Sequence, residues 1–254
     1  MRALYTAASG MSAQQLRLDT IANNLANVAS TGFKRSRDSF QDLFYQQLTS
    51  GGQAVSAARM ELGTGTRIVA VERDHTQGNL VSTGNVLHVA LQGDGFFVLE
   101  GMDGVPMYTR DGTFSQDADG YMISAGGLRV GGDIQVPEDA TSVRIDYDGT
   151  VHAVFSDASR DVVLGQIEVV KFLNPAGLRA IGNNFLVPTL TSGDPMDVVA
   201  GTDTQVVQGY LETSNVDVAT ELIEMIQAQR LYEMNSKVVQ AADETLGVAA
   251  NLRR

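Results

Sequence analysis

The chain has 254 residues, of which 43% are hydrophobic and 19% charged, a composition typical of one or two globular domains. Its formal net charge of −12 argues against nucleic acid as a partner, because phosphate binding needs a basic face. There is no cysteine, so no disulfide stabilises the fold. No apolar run approaches the ~18 residues that a membrane helix needs. We therefore expect neither direct membrane insertion nor a cleavable signal peptide.

A helical pattern begins near residue 3 and ends near Val28. Its apolar positions recur at alternating spacings of three and four, with Gln14 as the one polar member; they are Leu4, Ala7, Met11, Leu18, Ile21, Leu25 and Val28. This spacing predicts a helix that packs against other helices. Gly32 is placed to adopt the left-handed conformation that follows a helix end, and Phe33, Lys34 and Arg35 come directly after it.

Residues 36–49 have a mixed pattern. The spacing of Phe40, Leu43, Phe44 and Leu48 is compatible with a short second helix or with an extended arm. Residues 50–58 are small and polar, which suits a flexible or extended connection.

From about Thr66 the pattern changes to short β-strands, among them residues 67–71, 86–91, 93–99, 142–146 and 151–155. Turn dipeptides recur between them, at Asp103-Gly104, Asp111-Gly112, Asp119-Gly120, Gly126-Gly127, Gly131-Gly132 and Asp148-Gly149. Such dipeptides tolerate the positive φ of tight hairpins. The pattern predicts an antiparallel, barrel-like or sandwich domain.

The C-terminal segment mirrors the first helix. Ser214, Asn215 and Asp217 are candidate N-caps of a long helix. A wide apolar stripe follows, through Val218, Leu222, Met225, Ile226, Leu231, Met234, Val238, Ala241, Val248 and Leu252. So much apolar surface needs partners.

The elements together predict an α+β fold, with an antiparallel β-rich middle domain inserted between N- and C-terminal helices that pair as a coiled coil. We place the helical domain at residues 1–36 and 214–254, an extended connecting segment at 37–72 and the β-rich domain at 73–213. Residues 1–40 carry five Lys or Arg and two Asp, whereas residues 211–254 carry four basic and seven acidic residues, which favours pairing of the two ends. A two-helix pair buries one side of each stripe, so further copies of the chain must bury the rest.

No pattern of catalytic, cofactor-binding or metal-ligating residues stands out, and we predict no cofactor. His75, His88 and His152 are dispersed, and the Asp117–Gly120 and Asp146–Gly149 stretches indicate hairpin turns rather than calcium loops. The residue pattern leaves two other classes of protein open. One is a β-rich glycan- or peptide-binding module whose helices only oligomerise it. The other is a carboxylate hydrolase that uses Asp111, Asp119 and Asp148.

Residues 22–35, Ala-Asn-Asn-Leu-Ala-Asn-Val-Ala-Ser-Thr-Gly-Phe-Lys-Arg, resemble the N-terminal signature of bacterial flagellar rod and hook proteins. Residues 209–217 and 224–237 resemble the C-terminal signature of that family, and residues 93–97 and 108–114 match its middle region. Within the family, the chain length and the segment 41–72 resemble the distal-rod form. A proximal-rod or hook-like subunit is the alternative within the family.

The resemblance implies a structural protein, not an enzyme, exported by the flagellar type III apparatus to the periplasmic rod. It also implies a helical polymer of this chain that contacts proximal rod proteins, the hook protein and the surrounding periplasmic and outer-membrane ring proteins. The terminal helices would form the inner tube, and the segment after Arg37 would wedge between subunits. The predicted assembly interface comprises Leu4, Met11, Leu18, Ile21, Asn24, Leu25, Asn27, Val28, Gly32, Phe33, Lys34, Leu222, Met225, Ile226, Leu231, Met234 and Val238.

Overall fold

A computed structural model describes residues 2–48, 60–101, 104–156, 161–198, 201 and 203–251 of the chain. The chain forms two compact units. The helical unit comprises Met1–Ala26, Ser36–Arg73 and Asp217–Arg254, and the β unit comprises Asn27–Arg35 and Asp74–Val216. The predicted α+β class, with a β-rich region between two terminal helices along the chain, is confirmed.

Two long helices, α1 (Arg2–Ala26) and α2 (Val218–Asn251), pair within the helical unit. The pairing is antiparallel, since Asn24 contacts Glu221 near one end and Gly10 lies beside Asn235 further along. Between them Arg17 Nη2 lies 3.4 Å from Glu224 Oε2, an ion pair between the oppositely charged ends of the chain. Within the described part of the chain, neither helix has an apolar stretch long enough to cross a membrane.

The helix boundaries follow their capping residues. α1 ends at Ala26, two residues before the predicted end, and a turn follows it. Gly32 has φ +67°, as the sequence predicts. Of the three candidate caps, Asp217 caps α2, because its Oδ2 accepts a hydrogen bond from the Thr220 backbone N–H at 3.2 Å.

The segment after α1 is extended, so the alternative of a short second helix is wrong. Its strands are β1 (Ser36–Asp42), β2 (Tyr45–Leu48), β3 (Met60–Gly63) and β4 (Thr66–Arg73). β1 pairs antiparallel with β4, and β2 with β3. This cross-strand pairing supplies backbone hydrogen bonds that outweigh the weak helical spacing. The predicted connection over residues 50–58 lies outside the described residues.

The two units divide the chain differently from the predicted domains in two places. The segment 36–73 belongs to the helical unit, because β1 and β4 both contact α1. Residues 27–35 belong to the β unit, since they hydrogen-bond to residues such as Glu212 and Asn215.

The β unit consists of short strands joined by tight turns. In chain order they are β5 (Leu80–Ser82), β6 (Val89–Gln92), β7 (Phe96–Glu100), β8 (Pro106–Thr109), β9 (Ser115–Gln116), β10 (Met122–Ile123), β11 (Arg129–Val130), β12 (Ser142–Ile145), β13 (Thr150–Val154), β14 (Asp161–Gln166), β15 (Val169–Lys171), β16 (Arg179–Gly182), β17 (Phe185–Val187), β18 (Met196–Asp197), β19 (Gln205–Gln208) and β20 (Tyr210–Glu212). A single 3₁₀ turn, Pro175–Gly177, precedes β16 among the described residues.

Strand β7 is the centre of the largest sheet. It pairs antiparallel with β8 on one side and with β11 and β15 on the other. Its residues alternate between two apolar clusters, with Phe97 and Leu99 in the larger and Phe96 and Val98 in the smaller. Phe97 and Leu99 are fully buried. A strand covered on both faces explains the continuous apolar run Phe96–Leu99. The strands β12, β13 and β14 form a separate antiparallel sheet.

In five of the six predicted turn dipeptides the second residue is a glycine with positive φ, at positions 104, 120, 127, 132 and 149. Gly112 does not have positive φ, so its predicted role is corrected. A Cβ at Gly112 would lie 1.6 Å from the carbonyl oxygen of Val89. Gly112 therefore permits a close approach of two backbones rather than a left-handed turn.

Candidate assembly interface

The β unit contains a buried charge cluster of Lys34, Arg110 and Glu212. The Glu212 side chain, at the end of β20, lies 2.6 Å from Lys34 Nζ and 2.5 Å from Arg110 Nε. All three side chains are at most 6% exposed. Glu212 Oε1 also accepts a hydrogen bond from the Gly78 backbone N–H at 2.8 Å. Glu212 thus joins segments of the β unit that are far apart in the sequence.

Backbone carbonyls satisfy the remaining donors of the two cations. Arg110 donates to the carbonyl oxygens of Gly93 and Gly95, and Lys34 Nζ donates to that of Thr76 at 2.7 Å. A buried ion cluster is tolerated only when such additional hydrogen bonds offset the loss of hydration. These contacts therefore explain how two cations and one carboxylate remain buried together.

The electrostatics of the cluster favour ionised Glu212. Burial raises the pKa of the Glu212 carboxyl, but the Arg110 guanidinium and the Lys34 ammonium outweigh burial and hold this pKa below its ordinary value of 4.5. Glu212 is consequently charged at neutral pH.

Backbone contacts tie the two signatures together beside this cluster. The Gly32 N–H donates to the Glu212 carbonyl oxygen at 2.8 Å, and a Cβ at Gly32 would lie 2.8 Å from the Arg110 carbonyl carbon. The Asn215 side chain accepts from the Arg35 N–H at 2.8 Å and donates to the Asp74 carbonyl at 2.9 Å. The N-terminal signature is therefore held by the start of the C-terminal one.

A second polar junction lies inside the helical unit. The Asn24 side chain donates to the Ser36 carbonyl and accepts from the Ser36 N–H, both at 2.9 Å. Its Nδ2 also lies 3.4 Å from Glu221 Oε2. All three residues are buried. Asn24 thus fixes the start of β1 against both helices.

The two sides of α2 differ in residue type. Its described buried and half-buried positions are Glu221, Glu224, Met225, Ala228, Asn235, Ser236, Val239 and Ala242, and all but Glu224 and Ser236 recur at a heptad-like spacing. Most of these are small or polar. Apart from Met225 and Val239, the large apolar residues lie outside this set and are exposed, among them Leu222, Ile223, Ile226, Leu231, Met234 and Val238. The face of α2 that α1 covers is therefore not its most apolar face.

The predicted interface residues fall into three groups. Those buried are Ile21, Asn24, Gly32, Phe33 and Lys34. Those half-buried are Leu4, Met11, Leu18, Leu25, Asn27, Val28 and Met225. Those exposed are Leu222, Ile226, Leu231, Met234 and Val238, which we call the outer apolar face of α2. Lys34 pairs with Glu212 inside the chain and is 5% exposed, so it does not lie at the surface of the β unit.

Glu212 and Arg110 are not identified from the sequence as members of a buried charge cluster. Each lies within a stretch that matches the family, but 178 residues separate Lys34 from Glu212. A charged residue within otherwise apolar strand residues, as in Tyr210-Leu211-Glu212, was the available signal.

The structure gives no group of metal ligands among the residues that it describes. Asp111 and Asp148 each accept a hydrogen bond from the backbone N–H two residues later, at 3.0 and 2.9 Å, which is a turn-forming role. Burial raises the pKa of Asp111. The Asp111 and Asp148 carboxylates therefore stabilise local backbone turns.

Comparison with known families defines the class of protein. Residues 4–34 match the family model of flagella basal body rod proteins, residues 90–153 that of the flagellar hook protein FlgE/F/G D1 domain, and residues 207–252 that of the flagellar basal body rod FlgEFG protein C-terminal region. Each of these three regions contributes one member of the buried charge cluster, Lys34, Arg110 and Glu212 in that order.

Relatives that match the chain over nearly its whole length narrow the class of protein to one family. The chain is 43% identical to the flagellar basal-body rod protein FlgG of Borreliella burgdorferi over 100% of the chain and 99% of the relative. It is 41% identical to FlgG of Buchnera aphidicola over 96% of each, and 43% identical to FlgG of Agrobacterium fabrum over 98% of each. The chain belongs to the FlgG family of flagellar basal-body rod proteins and is a structural subunit of the rod.

Proposed function

We propose that this chain polymerises into the rigid helical tube of the distal rod, which transmits torque from the motor to the hook. The observation that carries this proposal is the outer apolar face of α2. Ile226 is 50% exposed and Met234 58%, although α1 packs along the same helix. Several large apolar side chains exposed along one helix are typical of an interaction site. Further copies of the chain are the partners that a rod supplies at every position.

The extended segment of the helical unit supports contacts between subunits. β1 and β4 form a two-stranded antiparallel ribbon that carries exposed apolar side chains on several positions. Val69 and Val71 of β4 are each more than half exposed, and Phe44, in the link between β1 and β2, is 91% exposed. A two-stranded ribbon needs packing on another surface for stability. We propose that this ribbon lies between neighbouring subunits and stiffens the shaft.

The rod assignment also defines the proposed partners. The proximal rod proteins and the hook protein would contact the two ends of the polymer, and periplasmic and outer-membrane ring proteins would surround it. The proposed role is structural, without catalysis or a cofactor. Export through the flagellar type III apparatus would deliver the chain to the periplasm.

Assembly of the purified chain tests the polymer. We expect wild-type protein to form tubes at high concentration, visible by electron microscopy and as fast-sedimenting species. Ile226→Glu should abolish the tubes, because it places a charge on the outer apolar face of α2. Gln229→Glu adds the same charge at an exposed polar position of the same helix and should still assemble. Equal assembly by both variants would contradict the proposal.

A second experiment tests where along the rod this chain lies. Basal bodies isolated from cells that lack the protein should contain a rod that stops short of the hook. A full-length rod in those basal bodies would exclude the distal-rod role.

A further inference from the structure

The β unit has a cavity of about 370 Å³ beside the buried charge cluster. Its wall includes the rings of Phe96 and Phe172, which meet edge to face at 5.9 Å and are both nearly buried. Leu173 also lines the cavity and is 86% exposed. A volume of this size lies at the lower end of the ~300–1,000 Å³ typical of binding pockets. The cavity is thus large enough for an aromatic side chain and offers it an aromatic surface.

The charges around the cavity favour an acidic occupant. Lys34, Arg110 and Lys171 line it, whereas Asp94 is the one carboxylate among its described lining residues. Glu212 neutralises part of the charge of the first two from beneath. Lys171 pairs with Asp94 at 3.4 Å, and both side chains are well exposed, so this pair is weak. Lys171 is therefore available to a carboxylate that arrives from another molecule.

The β unit itself displays a group with this chemistry. Tyr147 lies in the turn between β12 and β13, flanked by Asp146 and Asp148, and is 67% exposed. It is the most exposed Tyr or Phe among the described residues of the β unit. Asp146 already pairs with Arg144 and His152, so Asp148 is the carboxylate left to face a new cation.

The turn presents Tyr147 in a fixed position. The Gly149 N–H donates to the Asp146 carbonyl at 2.9 Å, and the Tyr147 carbonyl accepts from the Val206 N–H at 3.0 Å. The backbone N–H of Thr150 donates to Asp148 at 2.9 Å and lowers the pKa of Asp148, which keeps this carboxylate charged. A preordered turn loses little conformational entropy when it binds.

We propose that the cavity of one copy receives Tyr147 of a second copy, with Asp148 of that copy facing Lys171. The proposal rests on the proposed function, since a polymer supplies the second copy at high local concentration. The cavity and the turn are different surfaces of the same unit. A contact between unlike surfaces leaves one of each unused, and it can therefore repeat along an open polymer.

Photo-crosslinking of the full chain tests this contact. p-Benzoylphenylalanine at position 147 keeps an aromatic ring in the turn, and irradiation of assembled protein should yield adducts at Phe172, Leu173 or Pro175. A mixture of isotopically labelled and unlabelled chains shows by mass spectrometry whether each adduct joins two copies. The same amino acid at Val163, which is exposed on the same three-stranded sheet, should give no adduct in the cavity.

Two substitution series complete the test. Tyr147→Ala and Lys171→Glu should each raise the concentration needed for assembly by about tenfold or more. Tyr147→Phe and Lys171→Arg should assemble like the wild type. If assembly weakens with Leu190→Ala instead of Tyr147→Ala, the fully exposed Leu190 is the occupant and the proposal is overturned.

The remaining outcomes separate this proposal from the rod assignment. If tubes form but position 147 gives no adduct in the cavity of a second copy, only the contact proposed here fails. If wild-type chain forms no polymer at any concentration tested, both proposals fail.

Discussion

The β unit and the helical unit bury their apolar residues to different extents. In the β unit, Phe97 and Leu99 are fully buried within a continuous core. In the helical unit, α2 turns small and polar residues such as Ala228 and Asn235 towards the inside and leaves Ile226 half exposed. The comparison indicates that the core of the first unit is complete within one chain, whereas the second is incomplete and, in the proposed polymer, would be completed by other copies.

Removing the buried carboxylate should have the largest effect on the complete unit. Glu212→Gln leaves Lys34 and Arg110 buried without a counter-charge, and we expect the free energy of unfolding to fall by about 3–5 kcal/mol. Glu100→Gln, at an exposed position of β7, should change it by less than about 0.5 kcal/mol. Denaturant titration followed by near-ultraviolet circular dichroism measures both. Equal effects of the two variants would show that the charge cluster does not stabilise the β unit.

Acid should weaken the same unit through the same group. The pKa of Glu212 is lowered in the folded chain, so its contribution to stability is complete above its ordinary value of 4.5 and is lost as the pH falls through the folded value. Asp111, whose pKa burial raises, acts in the opposite direction. The difference in melting temperature between wild type and Glu212→Gln isolates the Glu212 contribution. This difference should shrink from pH 7 to pH 3, and a constant difference would refute the assignment.

Two glycines of the β unit with nearly the same φ test how much close packing adds to the cost of a Cβ. Gly32 (φ +67°) has the Arg110 backbone 2.8 Å from an added Cβ, whereas Gly84 (φ +70°) has nothing within 4 Å. Gly84→Ala should cost only the strain of positive φ, about 1 kcal/mol. Gly32→Ala should cost about 1–3 kcal/mol more, because packed backbone must also shift. Thermal unfolding of both variants checks the order, and equal costs would contradict the close approach at Gly32.

The smallest change in the stability of the isolated chain is expected from a substitution in the helical unit. Ile226→Ala removes a half-exposed side chain, so the free energy of unfolding of the monomer should change by less than about 0.5 kcal/mol. Its critical concentration for assembly should nevertheless rise. A monomer destabilised as strongly as by a core substitution would mean that Ile226 is already buried within one chain.

The local patterns that the sequence predicts correctly are those decided by neighbouring residues. Gly32 was found because helix ends favour a left-handed glycine, and the cap Asp217 because its side chain bonds to the next turn. The segment 36–48 is ambiguous in the sequence because its strands β1 and β2 pair with β4 and β3, which begin only at Thr66 and Met60.

Contacts between residues far apart in the sequence also explain why the charge cluster and the packed face of α2 are not predicted from the sequence. Nothing near Lys34 indicates that Glu212 neutralises it, and the apolar count of α2 does not reveal which side faces α1. Periodicity predicts that a stripe is buried, but the small residues at positions 10 and 228 decide which face packs closely within the chain.

Amide hydrogen exchange on monomer and polymer tests the central claim most directly. We predict that the amides of residues 222–238 in α2 become much more protected on assembly, because other copies then cover the outer apolar face. The amides of β7 and β13 should be protected equally in both states, since their core is complete in one chain. Unchanged exchange in α2, or protection of β7 and β13 that appears only in the polymer, would contradict the account.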